Sequence, residues 1–188
     1  TAAQTIASGK TITLDLNGHS ITADLPKTNI ITVNGKLTVT DSGSGGRIEN
    51  TGSSNNNAKV ISVGSSGAFT LNSGTIAGAK KTIYTTTGTI IVNGGTVTTS
   101  ATGGHGAING GYVTVNGGTI SAPNDNFAIN TRQLTVTDGI ITGGKYGVYF
   151  TSTYSDSFVN ISGGTISGGS SYAVYVNSSK GYAKVTGG

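Results

Sequence analysis

The carboxylates of this 188-residue chain are Asp15, Asp24, Asp41, Glu49, Asp125, Asp138 and Asp156. Cleaving a glycosidic bond by general acid and base needs two of them facing one cleft. Along the sequence they arrive singly, with no acidic cluster. His19 and His105 are as isolated, since neither has a second His or a carboxylate at ligand spacing. Cysteine is absent, which excludes disulfides, thiolate zinc sites and cysteine nucleophiles. Two loops, "TDSGSG" (40–45) and "PNDN" (123–126), offer carbonyls and one carboxylate each. That is a poor calcium site, so at most an adventitious Ca2+ is expected and no cofactor.

The aromatic residues carry a different chemistry. Six of the eight tyrosines, Tyr146, Tyr149, Tyr154, Tyr172, Tyr175 and Tyr182, fall after residue 145. The stretches "KYGVYF" (145–150) and "SYAVYV" (171–176) align, which stacks Tyr149 on Tyr175 and Tyr146 on Tyr172. Equivalent positions upstream hold Tyr84, Asn109 and Asn130. Exposed phenol rings beside amides and Lys180 suit sugar rings, whose apolar faces stack on aromatics. These seven residues are the candidate ligand-binding platform. Period-2 alternation puts Tyr149 and Tyr175 outside if Val148 and Val174 point in. Tyr146 and Tyr172 then share the inward parity and plug the core, unless a corner intervenes. Stacked tyrosines also stabilise a fold with no ligand at all.

Composition says what scaffold must hold them. There are 32 Gly, about thirty Thr, 10% charged residues, a single Glu and no Met. Such a mix disfavours helix and favours short strands joined by glycine turns. The net charge of +4 comes from 11 scattered basic residues, not the clustered Lys/Arg with interleaved aromatics of a nucleic-acid binder. No apolar run approaches the roughly 18 residues of a membrane span, and no basic-then-apolar leader opens the chain. The missing Met makes residue 1 an unexpected native start, and the chain reads as one domain, 1–188, cut from a larger protein.

Self-comparison finds eight copies of one pattern. An apolar-x-apolar pair recurs at Leu14/Leu16, Leu37/Val39, Phe69/Leu71, Ile90/Val92, Val113/Val115, Leu134/Val136, Val159/Ile161 and Ala183/Val185. Each pair is followed by Asn, Ser or Thr, then by glycines, then by a β-branched residue in seven copies. A further apolar residue precedes each pair, at Ile6, Ile31, Ile61, Ile83, Ile108, Ile129, Val148 and Val174. Each unit therefore holds three very short strands, too few to be stable alone. It buries four or five aliphatic side chains at roughly 1.5–3 kcal/mol each, while ordering its residues costs about 1–2 kcal/mol apiece. Stacking satisfies the backbone and seals the apolar columns. The predicted fold is all-β, a right-handed parallel β-helix of about eight coils with three strands per coil. Glycine supplies the sharp corners, and the preceding Asn tolerates the left-handed region and bonds its neighbour in the next coil.

In this register no two acids share a column in neighbouring coils, and Arg47 and Arg132 lie about four coils apart. The third strand flanks its inward Ile or Val with hydroxyls, as in Thr96/Thr98 and Thr119/Ser121, but Arg47/Glu49 and Ile140 interrupt the ladder. High strand propensity explains these threonines without the ice-binding role that a regular ladder suggests.

The phrases "GKTITLDLNGHSI" (9–21) and the iterated "LTV-x-G-G-T-I" resemble right-handed β-helix repeats of large Gram-positive surface proteins, within the pectate-lyase-like superfamily of folds. The resemblance covers essentially the whole chain. Lyases and hydrolases on that fold have grouped acids, which this sequence lacks, so an enzyme is not expected. The resemblance implies a non-catalytic adhesive or spacer module at the cell surface or wall, facing glycans or surface proteins. Flanking domains of the same chain would cover its end coils. A carbohydrate-binding module on the tyrosine column is the alternative, ahead of a polysaccharide lyase or hydrolase and of ice binding.

Overall fold

A computed structural model describes residues 2–52, 58–100, 105–124 and 126–188. It shows a parallel β-solenoid, all-β and without helix among the described residues. Three parallel sheets run the length of the stack, two of eight strands and one of seven. One turn of chain supplies one strand to each sheet; in coil four these are Lys81–Thr85, Thr89–Val92 and Thr96–Thr99. Seven coils are complete, and the eighth ends after its second strand, Tyr182–Val185.

The cause lies in how the side chains alternate. In the second and third sheets a repeating pattern of half-buried and buried residues sends every other side chain inward. Leu71, Val92, Val115 and Val136 form one internal file, and Ile76, Val97, Ile120 and Ile141 another. All eight are shielded completely from solvent. Backbone amides bond coil to coil even past the strand ends, as Asn93 N–H does to the Leu71 carbonyl at 2.8 Å and Asn116 N–H to the Val92 carbonyl at 2.8 Å. At the corner after the second strand the side chains form a ladder. Asn93 Nδ2 donates to Asn72 Oδ1 at 2.9 Å, Asn116 Nδ2 to Asn93 Oδ1 at 2.9 Å, and Thr137 Oγ1 to Asn116 Oδ1 at 3.0 Å.

Three details differ from the sequence reading. In coil one the strand Thr11–Asp15 places Ile12 and Leu14, not Leu14 and Leu16, in line with Leu37 and Val39. Leu16 is buried at the corner instead, where its amide bonds the Thr40 carbonyl. Likewise Gln4, not Ile6, occupies the file of Ile31, and Ile6 pairs with Val33. In the NGG corners after the second strand the left-handed conformation belongs to the second glycine, Gly95 and Gly118, while the ladder asparagines keep negative φ; the corner Asn17 of coil one does adopt it, at φ 46°.

The "TDSGSG" corner is held by Asp41 within it and by Asp15 of the coil below. Asp41 accepts Gly18 N–H at 2.6 Å and Gly46 N–H at 2.8 Å, one on each carboxylate oxygen. Asp15 accepts the Ser42 amide at 2.9 Å and hydroxyl at 2.6 Å, and these bonds hold its carboxyl below the usual range. Both carboxylates serve as corner braces. Of the "PNDN" loop, Asp125 lies outside the described residues.

Candidate binding groove and tyrosine cluster

The first sheet carries the candidate site because its strands break the alternation. Lys81–Thr85, Phe127–Asn130 and Tyr146–Phe150 each begin with a half-buried residue, continue with two buried ones and then turn a side chain out. A bend at the second residue puts the first and fourth side chains on the outer surface. Tyr146 and Tyr149 therefore both face outward, and Gly147 sits where a Cβ would strike Ile166 and the Ala173 carbonyl.

Four of the predicted residues meet in one cluster. Tyr149 and Tyr175 are in register, with ring centroids 5.2 Å apart and planes 6° from parallel. Tyr146 lies 5.1 Å from Tyr149, 5.2 Å from Tyr175 and 6.3 Å from Tyr172. Phe127, not singled out from the sequence, stacks on the other side of Tyr149 at 5.5 Å. Tyr149 thus has Phe127 on one side and Tyr175 on the other, which occupies the ring faces a sugar would use. Each aromatic contact of this kind stabilises by about 0.5–1.5 kcal/mol beyond area burial.

Tyr84, Asn109 and Asn130 belong to a second feature, a groove of about 370 Å³. Its origin is the length of the corners between the first and second sheets. Coils five and six turn with two residues each, 110–111 and 131–132, whereas coil seven uses seven, 151–157. Two low corners beside a tall one leave a trough across the stack. Gly110 and Gly111 form its floor, since a Cβ on Gly110 would meet the Thr85 carbonyl at 2.0 Å. The Asn130 amide and the Thr86, Thr151 and Thr153 hydroxyls line the trough, and none has a side-chain hydrogen bond among the described residues. Asn109 is more buried than its outward parity implies, and its Nδ2 donates to the Gly106 carbonyl at 2.7 Å.

Tyr154 of the tall corner forms one wall, beside Arg132 of the low corner beneath it, and neither was among the seven platform residues picked from the sequence. The Arg132 guanidinium lies 4.1 Å from the Tyr154 ring centroid and 5.7 Å from that of Tyr112. It donates to Asp156 Oδ1 at 2.6 Å and to Oδ2 at 2.7 Å, while Gln133 Nε2 donates to the Asp156 carbonyl at 2.8 Å. At the opposite side, Lys59 and Lys81 Nζ lie 5.0 and 5.2 Å from the Tyr84 ring centroid. Burial, followed by the charges of Lys81 and Lys80, depresses the His105 pKa.

The hydrogen bonds from Arg132 hold the Asp156 carboxyl below its ordinary 3.8, so the clasp is complete above that value. It is lost as pH falls through the depressed folded-state pKa. We expect carbon NMR of Asp156 to titrate below 3.8 and Arg132→Gln to return it to the ordinary range; a wild-type midpoint at or above 3.8 would contradict the clasp.

A second hollow, of about 400 Å³, lies against the third sheet and holds one carboxylate, Glu49, which accepts Arg47 Nη2 at 2.8 Å. No group of three or more His, Cys, Asp or Glu side chains converges among the described residues. No helix there is long and apolar enough to cross a membrane. No protein-family model, curated protein or solved structure matches the chain.

Proposed function

We propose that the chain is a non-catalytic module of a secreted or wall-attached bacterial surface protein and that its adhesive surface is the first-sheet groove, which takes an extended glycan. The observation that carries this reading is the trough over coils five and six, with unengaged Asn and Thr groups between Tyr84 and Tyr154. Amides and hydroxyls match sugar hydroxyls, and aromatic walls match the apolar faces of sugar rings. Its volume is that of an ordinary small-ligand site, and its open ends suit a polymer. The sequence resemblance to Gram-positive β-helix repeats supports the surface location. A spacer role is the second reading, favoured by the uniform stack, which at about 4.8 Å per coil extends roughly 35–40 Å.

On a glycan array we expect the wild-type protein to retain at least one linear polysaccharide. Tyr84→Ala and Asn130→Ala should each weaken that binding about tenfold, equivalent to about 1.4 kcal/mol, with circular dichroism unchanged. Tyr149→Ala should leave affinity intact, because Tyr149 does not line the groove. Loss only with Tyr149→Ala would move the site to the tyrosine column, and no retention of any glycan would leave the spacer.

A further inference from the structure

Four phenols joined by five ring contacts of 5.1–6.3 Å at the surface are an unusual concentration of one oxidisable group. The other four tyrosines have different neighbours: Tyr84 lies beside Lys59 and Lys81, Tyr112 and Tyr154 beside Arg132, and Tyr182 stacks on Phe158 at 5.9 Å. We propose that the cluster is an oxidative cross-linking site, in which Tyr175 of coil eight couples to Tyr146 or Tyr149 of coil seven as dityrosine.

The co-reactant is a one-electron oxidant of the haem-peroxidase class supplied with hydrogen peroxide. Each phenol gives up one electron and one proton to become a tyrosyl radical. The two radicals join through a C–C bond between ring carbons ortho to the oxygens. The hydrogen on each of those carbons then moves to its phenolic oxygen, restoring both rings. Peroxide takes up the two electrons and two protons and leaves as two waters. The rings are already close to the separation that a direct ring-to-ring bond imposes, and Tyr146 and Tyr175 are tilted by 40°, which lessens the rotation needed to bring their edges together. Tyr172, 58% exposed, gives the oxidant access to the cluster. The link would fasten coil eight to coil seven through the first sheet, where Tyr149 and Tyr175 are already in register.

The test is oxidation of the intact protein by a haem peroxidase and hydrogen peroxide, read by dityrosine fluorescence and by mass spectrometry. Trypsin releases 146–180 as one peptide, because Lys145 and Lys180 bound it. The expected product is that peptide, monomeric, two hydrogens lighter, and giving no separated fragments from cleavage between Tyr149 and Tyr175. Tyr175→Phe keeps the ring stack and should abolish this product, whereas Tyr182→Phe should leave its yield unchanged. Three results would overturn the proposal: no dityrosine, a link confined to Tyr146 and Tyr149, or cross-links only between molecules through exposed Tyr154 or Tyr182.

Discussion

Phe69→Ala is expected to lower the unfolding free energy by about 3–5 kcal/mol, a large share of the roughly 5–15 kcal/mol that holds a typical domain together. Phe69 is wholly buried, between Leu37 of the coil below and Ile90 of the coil above in the internal file of the second sheet. Collapse into the vacated space is restricted, because coil spacing is fixed by backbone bonds such as Thr89 N–H to the Gly67 carbonyl at 3.0 Å. The loss should therefore fall toward the upper end of that range. Ile90→Val, one methyl group in the same file, should cost only about 0.5–1.5 kcal/mol. Because each coil touches only its neighbours, hydrogen exchange should accelerate most in coils two to four and least in coil seven. Urea unfolding measures the total, and a loss under about 1 kcal/mol for Phe69→Ala would mean that the file is not the principal core.

What the sequence discloses is the part of the fold that repeats. Leu71, Val92 and Val115 recur in one context and do share a file. The same alternation cannot locate a strand along its own axis. "ITLDL" (12–16) offers three apolar residues of equal parity, and a shift of two leaves all of them facing inward. Only the partner strand Lys36–Thr40 selects Ile12 and Leu14. Parity also misleads where a strand bends, which is why Tyr146 could be assigned to the core when it belongs beside Tyr149. The groove is harder still to foresee. It arises from unequal corners, and "TSTYSDS" (151–157) becomes a wall only once stacking brings it beside the two-residue turns at 110–111 and 131–132. Tyr84, Asn109 and Asn130 were found because they occupy a repeating position. Arg132 and Tyr154 sit in the corners, where the chain does not repeat.

The corners between the second and third sheets depend on glycine for two separable reasons, and Gly95→Ala compared with Gly45→Ala distinguishes them. Both residues adopt left-handed backbone, with φ of 72° and 81°, so both substitutions incur the strain of a Cβ in that region, about 1–2 kcal/mol. Around Gly45 nothing lies within 4 Å of the added carbon, and the loss should stop there. At Gly95 the new Cβ would sit 2.4 Å from the Gly74 carbonyl oxygen. That oxygen already accepts the Thr96 amide at 2.8 Å, at the point where the third sheet joins coil four to coil three. Displacing the carbonyl weakens that half-buried bond, adding about 1–3 kcal/mol. Gly95→Ala should therefore lose about 2–5 kcal/mol in urea unfolding, clearly more than Gly45→Ala. Equal losses would show that backbone conformation alone selects glycine at the corner and that the close approach of successive coils contributes nothing.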